Sequence, residues 1–161
     1  MIRKAFCFDR FLLLIGFLLL MGSCNKQRVF DDIQSTGTNG WDVASPLRFS
    51  FQIDDTLNSH RFSMHIRNDI DYRYSNLYVF LQTRFPNGNI TRDTIECVLA
   101  GPDGKWHGRS SGKFREHLIT LNPGIRFPLT GIYTIDIEQA MRHQVLIGVT
   151  DIGIRIEKNP Q

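Results

Sequence analysis

Cysteine is scarce in this chain, and the scarcity limits what the chain can be. Of 161 residues only Cys7, Cys24 and Cys97 are cysteines. Cys7 sits inside an apolar leader and Cys24 directly follows it, so Cys97 stands alone in the body and an intramolecular disulfide is excluded there. Between Glu96 and Val98, in a strand-like run, that thiol reads as a small buried hydrophobe rather than a nucleophile. Clustered positive charge is also missing. The chain has 19 basic and 16 acidic residues. The leader takes three of the bases and one acid, leaving the remainder at +1 without a Lys/Arg cluster, which excludes nucleic-acid or polybasic-membrane binding. Gly108-Arg109-Ser110-Ser111-Gly112 fits the letters of G-x-S-x-G, but no helical run follows it as a nucleophile elbow requires, and there is no long amphipathic helix. His60, His65, His107, His117 and His143 lack the close ligand pairs of a zinc site, so no metal is expected.

What the chain does have begins with Phe11 to Met21, an unbroken apolar run behind Arg3, Lys4 and Arg10. Secretory signals carry an apolar region of roughly 7–15 residues, whereas a spanning helix needs about 20. Met21-Gly22-Ser23-Cys24 then supplies small residues before a thiol, a pattern that resembles the bacterial lipobox with Met21 at its usual leucine. Residues 1–23 are therefore expected to be a cleaved lipoprotein signal, and Cys24 the site of a covalent diacylglycerol and acyl lipid. No other cofactor is expected. Asn25-Lys26-Gln27 lacks the acidic run that resembles the surface-export signal of Bacteroidota lipoproteins, which points to the periplasmic face of the outer membrane.

Residues 24–40 read as a tether, with a short helical turn possible over Phe30 to Gln34. Residues 41–161 read as one domain with period-two alternation. Leu47, Phe49, Phe51 and Ile53 alternate with polar residues, as do Phe62, Met64 and Ile66, and Tyr133, Ile135 and Ile137. Leu77 to Phe85 and Ile90 to Leu99 flank Pro86-Asn87-Gly88-Asn89, a hairpin signal. Gly108 to Gly112 reads as a flexible loop, Asn122-Pro123-Gly124 as a turn, and Gln139 to Gln144 as a single helical turn. Seven or eight strands joined by Gly/Pro/Asn turns predict an all-β antiparallel sandwich, with a jelly roll the nearest alternative.

Laid out this way, the chain resembles the gliding-motility-associated lipoprotein family GldH of the Bacteroidota. The matching blocks include Arg28-Val29-Phe30-Asp31, Gly40-Trp41, Tyr72-x-Tyr74-Ser75-Asn76-Leu77, Phe85-Pro86-Asn87-Gly88, Pro102-Asp103-Gly104-Lys105-Trp106 and Thr150 to Glu157. The resemblance implies a lipid-anchored envelope protein needed for gliding where the host glides, with no catalytic residues. It departs at Gln139, where the family pattern has histidine, which argues against an essential imidazole there.

Four aromatics, Trp41, Tyr72, Tyr74 and Trp106, are candidates for an interaction surface, because loop aromatics stack on sugars or on a partner's apolar face. The plainer reading is that they seal the ends of the sandwich. Asn68-Asp69-Ile70-Asp71 reads as a turn, since the spacing and closing glutamate of a calcium loop are absent. Asp55-Thr56-Leu57 and Asp93-Thr94-Ile95 resemble the Asp-Ser/Thr-apolar acceptor of periplasmic O-glycosylation, making Thr56 and Thr94 candidate acceptors, with the first the more accessible. The expected function is thus a non-enzymatic envelope protein that docks other envelope or motility proteins, with a glycan-binding sandwich as the alternative. Cys24→Ala is expected to abolish palmitate labelling and to release the chain from membranes on fractionation. Unchanged membrane retention would overturn the lipid assignment.

Overall fold

Alternation of β-branched and aromatic side chains with polar ones carries directly into strands. A computed structural model describes residues 27–160, so the leader and Cys24 lie outside the described residues. In chain order the strands are β1 (Arg28–Ser35), β2 (Trp41–Asp42), β3 (Leu47–Ile53), β4 (His60–Asp69), β5 (Asn76–Arg84) and β6 (Ile90–Val98). They continue with β7 (Arg109–Ser111), β8 (Phe114–Ile125), β9 (Gly131–Gln139), β10 (Val145–Leu146) and β11 (Val149–Lys158). Every pairing between them is antiparallel. Five strands form one sheet in the order β1-β11-β4-β8-β7, four form another in the order β3-β9-β5-β6, and β10 and β2 make a two-stranded ribbon. The described residues contain no helix, and the protein is the antiparallel β-sandwich its alternation predicts.

The core is the space between the two sheets. Phe62, Met64 and Ile66 of β4 and Ile152, Ile154 and Ile156 of β11 line the five-stranded side, all buried. Phe49, Phe51 and Ile53 of β3, Leu77, Val79 and Leu81 of β5, and Tyr133, Ile135 and Ile137 of β9 line the other. Each such side chain contributes about 1.5–3 kcal/mol by leaving water. Phe51 stacks on Tyr133 with centroids 5.9 Å apart, and Phe127 meets the Tyr133 ring edge-on at 5.1 Å. At the hairpin, Phe85 N–H donates to Asn89 O at 2.9 Å and Gly88 takes φ +86°, as the Asn-Gly signal requires.

Four segments differ from expectation. Residues 28–35 are neither tether nor helical turn but strand β1, so the sandwich starts at Arg28 rather than at residue 41. Phe30 supplies the reason: its ring packs 5.3 Å from Phe51, while Gln34 Nε2 donates to Arg48 O at 2.8 Å. Within Gly108 to Gly112, Arg109–Ser111 pair with β8. Asn122-Pro123-Gly124 lies inside β8, where the register against β4 slips, and Pro123 O accepts from Asn159 Nδ2 at 2.8 Å. After Gln139 no helical turn forms. The fully buried Gln139 amide takes up the local backbone instead, accepting from Met141 N–H at 2.9 Å and donating to His143 O at 2.6 Å.

Two measurements check this account. Ile154→Ala is expected to cost about 2–5 kcal/mol in urea unfolding. A chain beginning at residue 41 should lose cooperative unfolding, whereas one beginning at residue 27 should keep it.

Candidate functional site

Strand β1 sets the polarity of the molecule. It runs from Arg28, opposite Glu157, to Ser35, opposite Asp151, roughly 23 Å at the rise of an extended strand. The end near Arg28 also holds the 54–59 loop and the hairpin at 85–89. The far end holds the β2–β10 ribbon and the loops around 70–75, 99–108 and 140–148.

Three of the four candidate aromatics meet at the far end, and the structure corrects two of the four. Trp41 is completely buried, with Nε1 donating to Ser45 O at 3.1 Å, and Tyr72 is buried with its hydroxyl donating to Asn76 O at 3.0 Å. Burial first, and then Tyr74, raises the Tyr72 phenol above its ordinary range. Gly148 presses on that ring with φ +94°, where a Cβ would lie 3.1 Å from Tyr72 Cδ2. Tyr74 and Trp106 are half-buried. The Tyr74 hydroxyl lies 2.5 Å from His143 Nε2, and Trp106 sits between Tyr72 and His117 with centroids 6.5 Å from each. These rings seal the gap where strand pairing stops, so no open stacking platform of all four forms.

Sequence reasoning missed the neighbouring aliphatics. Val43, Ile70, Val145 and Ile147 are exposed, Ile147 at 67%. Val145-Leu146-Ile147 reads as one more buried run, yet only Leu146 points inward, opposite Trp41 in the ribbon. Gly40, at φ +99°, lets the chain pass beneath them: a Cβ there would lie 2.7 Å from Ile147 Cδ1 and 2.9 Å from Val145 Cγ1. A groove of about 320 Å³ runs beside them between Asp71, Arg73, Tyr74 and His143. A second, apolar cleft of about 420 Å³ opens on the flank between β6 and β8, floored by Phe62, Leu81, Phe127 and Tyr133.

Among the described residues the ionisable groups are held in pairs and turns. On the outer face of the five-stranded sheet, Asp31 accepts from Arg155 Nη2 at 2.9 Å and lies 3.0 Å from His65 Nε2. Burial pushes the Asp31 carboxyl up, but the hydrogen bond and charge of Arg155, together with His65, hold it below the usual carboxylate range. Ser63 shares that face two residues away, yet it is buried and its Oγ has no hydrogen-bond partner. His117 Nε2 lies 2.9 Å from Asn68 Oδ1, and because Asn68 Nδ2 donates to Asp69 O, the imidazole carries its proton on Nε2. Cys97 is fully buried as expected, and burial, with Glu96 second, pushes its thiol up to about 12. Asp69 Oδ1 accepts from Asp71 N–H at 3.1 Å, the expected turn. No group of three metal-ligating side chains occurs among the described residues. The two glycan-acceptor candidates are ranked the other way from expectation: Thr94 is exposed on β6, whereas Thr56 is half-buried beside Asp55, which Lys158, Asn58 and Leu57 hold.

Residues 28–156, nearly the whole sandwich, match the family described as GldH lipoprotein. The chain belongs to the GldH lipoprotein family. Among its relatives, the "Gliding motility lipoprotein GldH homolog" of Christiangramia forsetii is 35% identical over 149 residues, covering 88% of this chain and 91% of that one. The "Gliding motility lipoprotein GldH" of Flavobacterium johnsoniae is 30% identical over 154 residues, covering 91% and 94%. Among solved structures, a carbohydrate-binding module specific for non-crystalline cellulose aligns over 86% of this chain and 79% of its own, with 10% identity and a TM-score of 0.41. The GldH resemblance read from the ordered sequence blocks is thereby confirmed at the level of family.

His60, His65 and His117 all bind a proton less readily than free imidazole, burial being the largest cause in each. Just below the ordinary imidazole value of about 6.5, the unfolded chain therefore binds more protons than the folded one. Stability from these groups is present above that pH and is lost as pH falls through it. Thermal melts should show Tm falling between about pH 7 and pH 5, and His117→Gln should flatten the slope by one group's share.

Proposed function

We propose that this protein is a non-enzymatic, lipid-anchored component of the cell envelope that docks another envelope protein at the end of its sandwich farthest from the lipid. The observation that carries this reading is the placement of Ile147, Val145, Ile70 and Val43, exposed together at that end. Val145 and Ile147 line the groove at that end, and exposed aliphatics beside a groove are a common signature of a protein-binding surface. Cys24 lies four residues before β1, a reach of at most about 14 Å in extended chain, so the lipid holds one end of the sandwich near the bilayer. The names of the relatives support a role in gliding motility, and the lack of acid after Cys24 supports the periplasmic face of the outer membrane. The absence of a paired nucleophile and base among the described residues, with Cys97 held as an inert thiol, supports a binding role over a catalytic one. Glycan binding, the alternative, is weakened by the burial of Trp41 and Tyr72, two of the four rings it needs.

The test is a crosslinking pull-down from intact envelopes with the full-length protein. Wild type is expected to recover a specific partner, and Ile147→Asp to lower recovery about tenfold, the effect of losing an interface contact worth roughly 1.4 kcal/mol, without lowering the melting temperature. Undiminished recovery would reject this surface. Partner recovery by Cys24→Ala at wild-type level in envelopes would reject the need for the anchor.

A further inference from the structure

We infer that strand β6 pairs with β6 of a second copy, antiparallel about Thr94, joining two four-stranded sheets into one of eight strands. The backbone directions come from the two ends of the β5–β6 ladder. Phe85 N–H donates to Asn89 O at 2.9 Å, and Leu99 N–H to Ser75 O at 2.8 Å. In an antiparallel ladder the N–H and C=O of one residue point the same way, and the direction alternates along the strand. Odd-numbered residues from 89 to 99 therefore face β5. Ile90, Arg92, Thr94, Glu96 and Val98 turn their N–H and C=O groups outward, and among the described residues β5 is the strand's one neighbour.

The other sheet edges are protected in ways natural proteins use against pairing. β1 carries a register shift between Arg28 and Phe30, and its Phe30 and Gln34 lean across onto β3, closing that flank for both sheets. β7 has three residues. The half of β8 beyond β7 contains Pro123 and a slipped register. By contrast β6 is nine residues long, pairs with β5 without a bulge, and contains no proline or lysine. Its terminal outward-facing residues, Ile90 and Val98, are 49% and 52% exposed.

The sequence of β6 is complementary to itself. A two-fold axis through Thr94 sets Ile90 opposite Val98 of the second copy, Arg92 opposite Glu96, and Thr94 opposite Thr94. Aliphatic meets aliphatic and opposite charges meet at two symmetric places, whereas like charges would oppose the pairing. Because Thr94 faces outward, its pair is the hydrogen-bonded kind, with Cα atoms about 5.5 Å apart. The faces of the joined sheet are continuous, so Asp93 and Ile95 of the second copy extend the wall of the 420 Å³ cleft, which Asp93 and Ile95 already line. The antiparallel arrangement puts the Arg28 ends on opposite sides of the axis. Both lipids then reach one bilayer when the β1-bearing sheets face it, and confinement to that surface raises the effective concentration for pairing.

The experiment uses the mature chain with Cys24→Ala, whose residues 27–160 hold the whole sandwich. Concentration-dependent dimerisation by sedimentation is expected. Under mild oxidation, Thr94→Cys should give a disulfide dimer, since its Cα separation fits the bond. Arg92→Cys should not link to itself, its copies being roughly 13 Å apart along the strand, but should link to Glu96→Cys chains. Thr94→Pro removes an outward N–H and no ladder bond, and should weaken association at least tenfold. Arg92→Glu should weaken it roughly tenfold through two repulsive pairs, and Arg92→Glu with Glu96→Arg should restore it, a rescue that fold damage alone would not give. A monomer at every concentration, crosslinking that ignores this register, or failure of the charge swap to rescue would overturn the proposal. Partner capture by a chain that stays monomeric would leave the docking reading intact while removing this one.

Discussion

Everything in this sandwich leans on one apolar stripe, the pairing of β11 with β4. Ile152, Ile154 and Ile156 lie opposite Ile66, Met64 and Phe62, all buried, and they present a continuous wall to the other sheet. β1 bonds to the free side of β11, β8 to the free side of β4, and the β3-β9-β5-β6 sheet rests on their shared inner face. The last strand of the chain therefore lies between the first and the fourth. Such non-local pairing is of the kind that slows folding, because loop closure must precede the contacts that repay it.

The parts of the fold that were legible in the sequence are those where one face is wet and the other dry. β3, β9 and the β5–β6 hairpin follow directly from alternation and from an Asn-Gly turn that tolerates positive φ. β1 reads as a tether because its composition is that of a linker. Its place depends on Phe30 finding Phe51 and on Gln34 finding a carbonyl of β3, two contacts between segments distant in sequence. The helical turn after Gln139 failed for a related reason. Ala140-Met141-Arg142 favours helix, but a buried amide that bonds both sides of the bend defines a tighter local solution.

The candidate surface was legible only in part. The sequence places aromatic side chains near turns, and composition does not say whether a ring faces solvent or plugs the gap between sheets. For Trp41 and Tyr72 the available hydrogen-bond acceptors, Ser45 O and Asn76 O, lie inside, and both polar atoms are satisfied without water. Ile147 shows the converse. An isoleucine in a β-rich run reads as core, and only the inward turn of Leu146 reveals that its neighbour must point out. The same parity rule separates the two sets of backbone groups on β6. It is invisible to a hydropathy pattern because amide direction carries no side-chain signature.

The bond between the first and last strands has a mechanical consequence. If the protein is held by lipid before Arg28 and pulled at the Ile147 end, tension runs along the strand axes. Antiparallel hydrogen bonds lie across those axes, so the rungs between Arg28–Glu157 and Ser35–Asp151 are sheared together rather than peeled one at a time. A protein attached this way resists load as a clamp, and the strand that bears the tether is also the one whose release would require the whole ladder to slip at once.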